Sequence, residues 1–233
     1  MAASVIAAIL LAVGGLLYWR SLNPEAARLA RGSGVAMLRA ARYEEAVTNF
    51  TRAIDLETND AETYRLRGQA RLALFDLDAA LSDFTEVCKL RPTEAGAFIE
   101  RGGVLFKLRQ SEKALADAAT AIQLNPNHSP AYELRGQLLR DQGKFTEALE
   151  EFSRAIQYTP NLGYYIERAQ TYQALDRHDL AIADLDKAIE LDPDQPHTYY
   201  ARATSRTALG DRQGAAEDTD HGRAIDGLTE ENR

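Results

Sequence analysis

Cysteine, lysine and net positive charge are scarce in this chain, and each shortage excludes a class of protein. Cys88 is the single cysteine among 233 residues, so an internal disulfide framework and a cysteine-based zinc site are excluded. The formal net charge is −8 at pH 7, which argues against nucleic acid as a partner, because that function needs a basic face. Lysine supplies five of the 27 basic residues. This arginine bias, with abundant alanine, is typical of GC-rich bacterial genomes.

Motifs for catalysis, metals and cofactors are missing as well. The four histidines are dispersed, without the spacing of metal ligands. Gly32-Ser33-Gly34 begins like a phosphate loop, but no strand pattern precedes it and no Gly-Lys-Ser/Thr follows. Cys88 falls on an apolar helix face, where core packing is expected rather than nucleophilic chemistry. We therefore predict a protein that is not an enzyme and that uses no metal and no cofactor.

The first 20 residues are predicted to be a transmembrane anchor. Residues 2–19 carry no charge, and a helix of that length spans about 27 Å, close to the hydrocarbon thickness of a bilayer. Tyr18, Trp19 and Arg20 close the segment as residues do at a membrane–water interface, so they are the predicted lipid contacts. A cleaved signal peptide and a buried core helix are the alternatives. The signal peptide would want a positive residue before the apolar run and small residues at its end.

The arginines after the anchor predict its orientation. Arg20, Arg28, Arg31, Arg39 and Arg42 all lie on its C-terminal side, and the positive-inside rule then places the large domain in the cytoplasm. The predicted location is thus a single-pass protein of a bacterial inner membrane, with an export-facing domain as the alternative. Residues 21–26 read as a short linker and the cap of the first helix.

Five columns of similar residues recur with a period of 33 or 34 from residue 27 onward. The columns are prolines (Pro92, Pro126, Pro160, Pro193), small residues (Gly34, Gly68, Gly102, Gly136, Ala169, Ala203), alanines (Ala46, Ala80, Ala114, Ala148, Ala181, Ala215), large apolar residues (Phe50, Phe84, Phe152, Leu185) and aromatic residues (Tyr64, Phe98, Tyr132, Tyr165, Tyr199). Apolar residues inside each period follow helical spacing, and a single helical hairpin cannot bury its apolar face alone.

This pattern resembles the tetratricopeptide repeat (TPR). The resemblance implies an all-α solenoid of about six helical hairpins in a right-handed superhelix. The expected repeats cover residues 27–60, 61–94, 95–128, 129–161, 162–195 and 196–229, followed by a tail at 230–233. The last repeat is degenerate, since Thr219 stands where other repeats have Phe or Leu, and a terminal repeat needs a polar outer face.

Two charged columns predict an ion pair inside each hairpin after the first. An arginine stands directly before the small residue, and an acid stands sixteen residues after that arginine. The arginines are Arg67, Arg101, Arg135, Arg168 and Arg202, and the acids are Asp83, Asp117, Glu151, Asp184 and Asp218. The two columns lie level if each hairpin turns midway, which favours partly buried arginine–carboxylate pairs. A row of arginines that binds a partner is the alternative.

The resemblance also implies a concave groove lined by the first helix of each hairpin. The candidate partner-binding residues are Arg65, Gln69, Ile99, Phe106, Glu133, Gln137, Arg140, Ile166, Gln170, Gln173 and Tyr200. Mixed amide, aliphatic and aromatic side chains suit an extended peptide or a partner helix. Some family members grip a terminal carboxylate with a Lys/Asn/Arg clamp, but Val35 and Leu66 replace its asparagines here.

The sequence therefore predicts a membrane-anchored scaffold, adaptor or assembly factor that binds other proteins. The alternative is an accessory subunit that positions or regulates a membrane enzyme or transport complex, with catalysis elsewhere.

Overall fold

The computed structural model describes residues 24–57 and 59–231, and all of its regular structure is helical. The twelve helices of these residues are α1 Pro24–Arg39, α2 Tyr43–Leu56, α3 Ala61–Ala73, α4 Leu77–Leu90, α5 Ala95–Lys107, α6 Ser111–Leu124, α7 Ser129–Asp141, α8 Phe145–Tyr158, α9 Leu162–Gln173, α10 His178–Leu191, α11 Pro196–Ala208 and α12 Arg212–Glu231. Each predicted repeat matches two of them, but α1 begins at Pro24, inside the predicted linker, and α12 ends at Glu231, inside the predicted tail. The all-α hairpin fold predicted from the sequence is therefore confirmed.

The helices belong to two compact units, of which one ends at Arg109 and the other begins at Gln110. The first unit contains α1 to α5 and the second contains α6 to α12. Within each unit, the second helix of one hairpin packs on the first helix of the next, as α2 does on α3 and α8 on α9. The right-handed superhelix concerns the whole array, so it stays a prediction.

The predicted anchor at 1–20, with Tyr18, Trp19 and Arg20, lies outside the described residues. Within the part of the chain that the structure describes, every helix is too short or too polar to cross a bilayer. The anchor therefore stays a prediction.

The two helices of a hairpin meet where a ring of the second helix lies against the backbone of the first. Phe50, Phe84 and Phe152 are at most 1% exposed. A Cβ atom built on Gly136 would come within 2.8 Å of the Phe152 ring. The fifth hairpin instead has Ala169 against the smaller Leu185, and both are fully buried. The small column and the large apolar column are thus complementary in volume.

Each hairpin turns through one residue with positive φ. These residues are Ala41, Phe75, Arg109, Gly143, Asp176 and Gly210. In the second hairpin, the Asp76 amide donates to the Arg71 carbonyl and the Phe75 amide to the Leu72 carbonyl, which is the Schellman pattern of a helix end. Glycine occupies this position only in the fourth and sixth hairpins. The other four turns have no glycine signal in the sequence, so their positions are predicted from the repeat period.

The last helix is longer than the other second helices. Helix α12 has 20 residues, whereas α8 and α10 have 14 each. Gly227 stands where four of the five earlier repeats carry a proline, but the first repeat has Thr58 there and its second helix still ends at Leu56. The Tyr200 hydroxyl donates to Asp226 at 2.6 Å, so the extension is tied to the first helix of its own hairpin.

Candidate interaction surface

The predicted groove residues lie on the first helices α3, α5, α7, α9 and α11, and none of them is fully buried. In each unit, we call the side of these helices that carries the candidate residues the open face of that unit. On α7, the candidates Glu133, Gln137 and Arg140 follow one another at intervals of four and three residues, so they share one side of the helix. Gln69 on α3 and Gln170 on α9 are exposed, and the others are half-buried.

In the first unit, the open face is held together by Arg65. Its guanidinium donates to Glu100 of α5 at 2.8 Å and to Glu62 at 2.9 Å, and it also contacts Glu94. Burial disfavours the charge of Arg65, but the hydrogen bonds to Glu100 and Glu62 outweigh it and raise the arginine pKa. Burial also raises the pKa of Glu100, against the opposing effect of Arg65. Arg65 is thus engaged by the fold, and three acids surround one cation.

A similar link joins the first two hairpins. Arg31 lies 2.6 Å from Asp60, the N-cap residue of α3. Burial would raise the Asp60 pKa, but hydrogen bonds from Thr63 and Arg31 outweigh it and lower the value. Arg31 and Arg65 occupy the same place in successive repeats, and each contacts the residue that caps the next first helix.

In the second unit, amide groups and an arginine connect the first helices. Gln137 donates to Glu167 at 2.9 Å, and Arg140 lies 2.6 Å from the other oxygen of the same carboxylate. Arg140 also donates to Gln170 at 3.3 Å. The predicted groove residues Gln137 and Arg140 of α7 and Gln170 of α9 therefore already take part in contacts between the two helices.

Gln173 forms the next link along this face. Its amide donates to the Ala201 carbonyl and to the Ser205 hydroxyl of α11, both at 2.8 Å. Glu94, Glu100 and Glu167 were missed by sequence reasoning. They lie 29, 35 and 27 residues after their arginine partners, so no single spacing in the sequence marks them.

Glu133 differs from the other charged residues of the open face. It is half-buried on α7, and burial together with the nearby Glu167 carboxylate raises its pKa. Tyr164 of α9 is 8% exposed, and burial and the charge of Glu133 raise its pKa. Among the described residues of its unit, no basic side chain forms an ion pair with Glu133.

The arginine and acid columns meet inside the hairpins of each unit. Arg67 donates to both oxygens of Asp83, which is 1% exposed. Arg168 and Arg202 donate in the same way to both oxygens of Asp184 and Asp218. Arg135 instead donates twice to one oxygen of Glu151. Arg101 lies in the first unit and Asp117 in the second.

Each of these arginines also contacts other parts of the stack. Arg67 lies over the Tyr64 ring at 5.5 Å, and the other four arginines lie over the corresponding ring of their own helices. Arg168 also donates to Ser153 of the preceding hairpin at 2.9 Å. The arginine column therefore connects helices within and between hairpins, and its geometry is that of a structural element rather than a row of free cations.

In the ranges that the structure describes, no group of three His, Cys, Asp or Glu residues could hold a metal ion. Cys88 is 5% exposed, its thiol donates to the Ala97 carbonyl at 3.3 Å, and it packs in the apolar cluster around Phe84.

Comparison with solved structures shows similar helical arrays. The chain is 27% identical to MamA residues 41 to the end from Desulfovibrio magneticus RS-1, covering 73% of this chain and 97% of that one with a TM-score of 0.63. A tetratricopeptide repeat protein of Parabacteroides merdae ATCC 43184 is 20% identical over 93% of this chain and 89% of that one, with a TM-score of 0.73. YrrB, described as a TPR protein with an unusual peptide-binding site, is 24% identical over 80% and 97%, with a TM-score of 0.57.

No curated protein matches the sequence. A family model described as tetratricopeptide repeat matches residues 32–95 and 99–162, and a second model with that description matches residues 162–195. The folds of this family are generally interaction modules without catalysis. Since the matched residues make up more than half of the chain, the protein belongs to the tetratricopeptide repeat family.

Proposed function

We propose that this protein is a membrane-anchored scaffold that binds a peptide or helix of another protein on the open face of its first helices. The observation that carries the proposal is the open face itself. It presents amide and aliphatic side chains that are exposed or half-buried, such as Gln69 and Ile99 in the first unit and Gln170 in the second. Side chains of these types recognise extended peptides and helices. YrrB, a structural neighbour, is described as having a peptide-binding site.

The cross-links between first helices support the same proposal. Arg65, Arg140 and Gln173 each contact the next first helix, so the open face is ordered before a partner arrives. A face that is already ordered loses less conformational entropy on binding, and this raises affinity.

The anchor and the location complete the proposal. The uncharged residues 2–19, closed by an aromatic pair and an arginine, support a single membrane span. The arginines that follow support a cytoplasmic repeat domain, in a bacterial inner membrane. A protease-protection assay on sealed inverted vesicles tests the orientation. Digestion of the repeat domain is the expected result, and its protection would show an export-facing domain instead.

Partner recovery tests the binding function. Full-length tagged protein is purified from its host in mild detergent, and co-purifying proteins are measured by quantitative mass spectrometry. The open-face variant is Gln69→Ala/Gln170→Ala, because both amides are exposed on first helices. The matched control is Gln123→Ala/Gln157→Ala, because these amides are exposed on the second helices α6 and α8.

We expect one partner to be recovered with wild type and with the control variant, and to be lost with the open-face variant. Equal recovery with both variants would contradict binding at the open face. If that partner depends instead on residues 1–20 alone, the chain acts as an accessory subunit of a membrane complex.

A further inference from the structure

We propose that Glu133 binds a lysine or arginine side chain of the partner segment, an inference that rests on the function proposed above. Arg31, Arg65 and Glu133 occupy the same position on the first helices of the first, second and fourth hairpins. At the first two positions, the next hairpin supplies an ion-pair partner.

The residue of the next hairpin that would pair with Glu133 is neutral. In place of the acids that cap α3 and α5, the residue that caps α9 is Asn161. Its side-chain oxygen is occupied, since it accepts from the Gly163 amide at 2.8 Å. An amide so engaged does not neutralise a carboxylate.

The other groups around Glu133 do not neutralise it either. On α9, the Glu167 carboxylate raises the pKa of Glu133, and Glu133 in turn raises the pKa of Tyr164. On its own helix, Gln137 and Arg140 are directed to Glu167 at 2.9 and 2.6 Å. Arg140 therefore pairs with Glu167, and among the described residues of its unit Glu133 has a like charge nearby and no ion pair with a basic residue.

An unpaired, half-buried carboxylate destabilises the fold, whereas glutamine at the same place would not carry the charge. Gln69, Gln137 and Gln170 show that amides fit on the open face. Residues that lower stability concentrate at functional sites. Charge complementarity then defines the occupant as a cation carried by the bound segment. A lysine or arginine reaching Glu133 would form the charge-assisted hydrogen bond that the next hairpin supplies to Arg31 and Arg65.

Selection from a random peptide library tests this inference. A phage-displayed library of twelve-residue peptides is panned against the full-length protein in detergent, and the affinity of the most enriched peptide is measured by fluorescence anisotropy. Binding is compared for wild type, Glu133→Gln and the control Glu150→Gln, an exposed glutamate of α8. A second probe is the same peptide with its basic residue replaced by glutamine.

We expect the enriched peptides to share a lysine or arginine at one fixed position. Glu133→Gln should weaken binding of the basic peptide about tenfold or more, while Glu150→Gln leaves it unchanged. The glutamine peptide should bind wild type and Glu133→Gln equally. Thermal unfolding followed by circular dichroism should show that Glu133→Gln is at least as stable as wild type, so that weaker binding is not loss of fold.

Two other outcomes overturn the inference in distinguishable ways. Enriched peptides without a shared basic position, which lose binding in the open-face variant, would refute the role of Glu133 and leave the proposed function standing. No enrichment at all would contradict peptide recognition, and the inference with it.

Discussion

The pairing of side-chain volumes between the two helices of a hairpin determines which residues the small column accepts. Glycine is found opposite phenylalanine at Gly34, Gly68 and Gly136, and Ala169 is found opposite Leu185. The ring occupies the space that a Cβ atom would need, so the two columns change together. Protein interiors are packed densely enough for one methyl group to matter.

Gly136→Ala should therefore destabilise the protein by about 1–3 kcal/mol, because the new methyl group would clash with the Phe152 ring. Phe152→Leu in the same chain should recover part of the loss, as it recreates the pair found at Ala169 and Leu185. The measurement is the free energy of unfolding in urea.

The control for this substitution is Gly103→Ala. Nothing lies within 4 Å of a Cβ atom at Gly103, and alanine is favoured over glycine inside a helix by about 1 kcal/mol. We expect the free energy of unfolding to rise for Gly103→Ala and to fall for Gly136→Ala. Equal effects at the two positions would contradict the packing account.

The pKa of Glu133 predicts a pH dependence of stability. The folded-state pKa is raised above the ordinary value of 4.5, so the folded chain binds the proton more tightly than the unfolded chain. The destabilisation is fully present above the folded pKa and is relieved as the pH falls through that value. Glu133→Gln should thus raise the melting temperature at pH 7, and the difference from wild type should shrink toward pH 4. A melting-temperature difference that grows toward low pH would contradict a raised pKa of Glu133 in the folded chain.

At the scale of the hairpin, the arginine–acid pairs lie between two helices that the chain must bring together. Glu151 is 6% exposed and accepts from Arg135 at 2.8 Å. Removal of one partner of a buried pair leaves an uncompensated charge, which is more costly than removal of both.

The double-mutant cycle of Arg135→Ala and Glu151→Ala should therefore be non-additive by about 1 kcal/mol or more. Arg154→Ala serves as the control, since its side chain is 47% exposed and lies 3.2 Å from Glu151. Its effect on the melting temperature should be small. Additive losses for Arg135 and Glu151 would show that the pair contributes no coupling.

Hairpin positions could be predicted from the sequence because the period is repeated six times, so a weak signal at one site is supported by five others. The arginine and acid columns followed from the same repetition. The contacts between first helices could not be predicted from the sequence. They depend on the side-chain conformations of residues that lie 29 to 35 positions apart, as in Arg65 with Glu94 and Glu100. The length of α12 could not be predicted either, because the first repeat also lacks the proline and its second helix still ends at Leu56.

At the scale of the whole molecule, the chain combines an acidic net charge of −8 with an open face on which several acids are already paired. The list of candidate residues did not separate side chains that hold the fold from those that remain exposed. Arg65 and Arg140 belong mainly to the first group, and Gln69 and Gln170 to the second. Mutations of the second group are therefore the better tests of binding.

The most direct test of the central claim is the dissociation constant of the recovered partner for the full-length protein. It is measured for wild type, for Gln69→Ala/Gln170→Ala and for the matched Gln123→Ala/Gln157→Ala variant. Binding at the open face predicts a loss of about tenfold or more in the first variant and no change in the second, since two hydrogen bonds are each worth about 1 kcal/mol. A loss in the second variant alone would place the partner on the second helices and contradict the account.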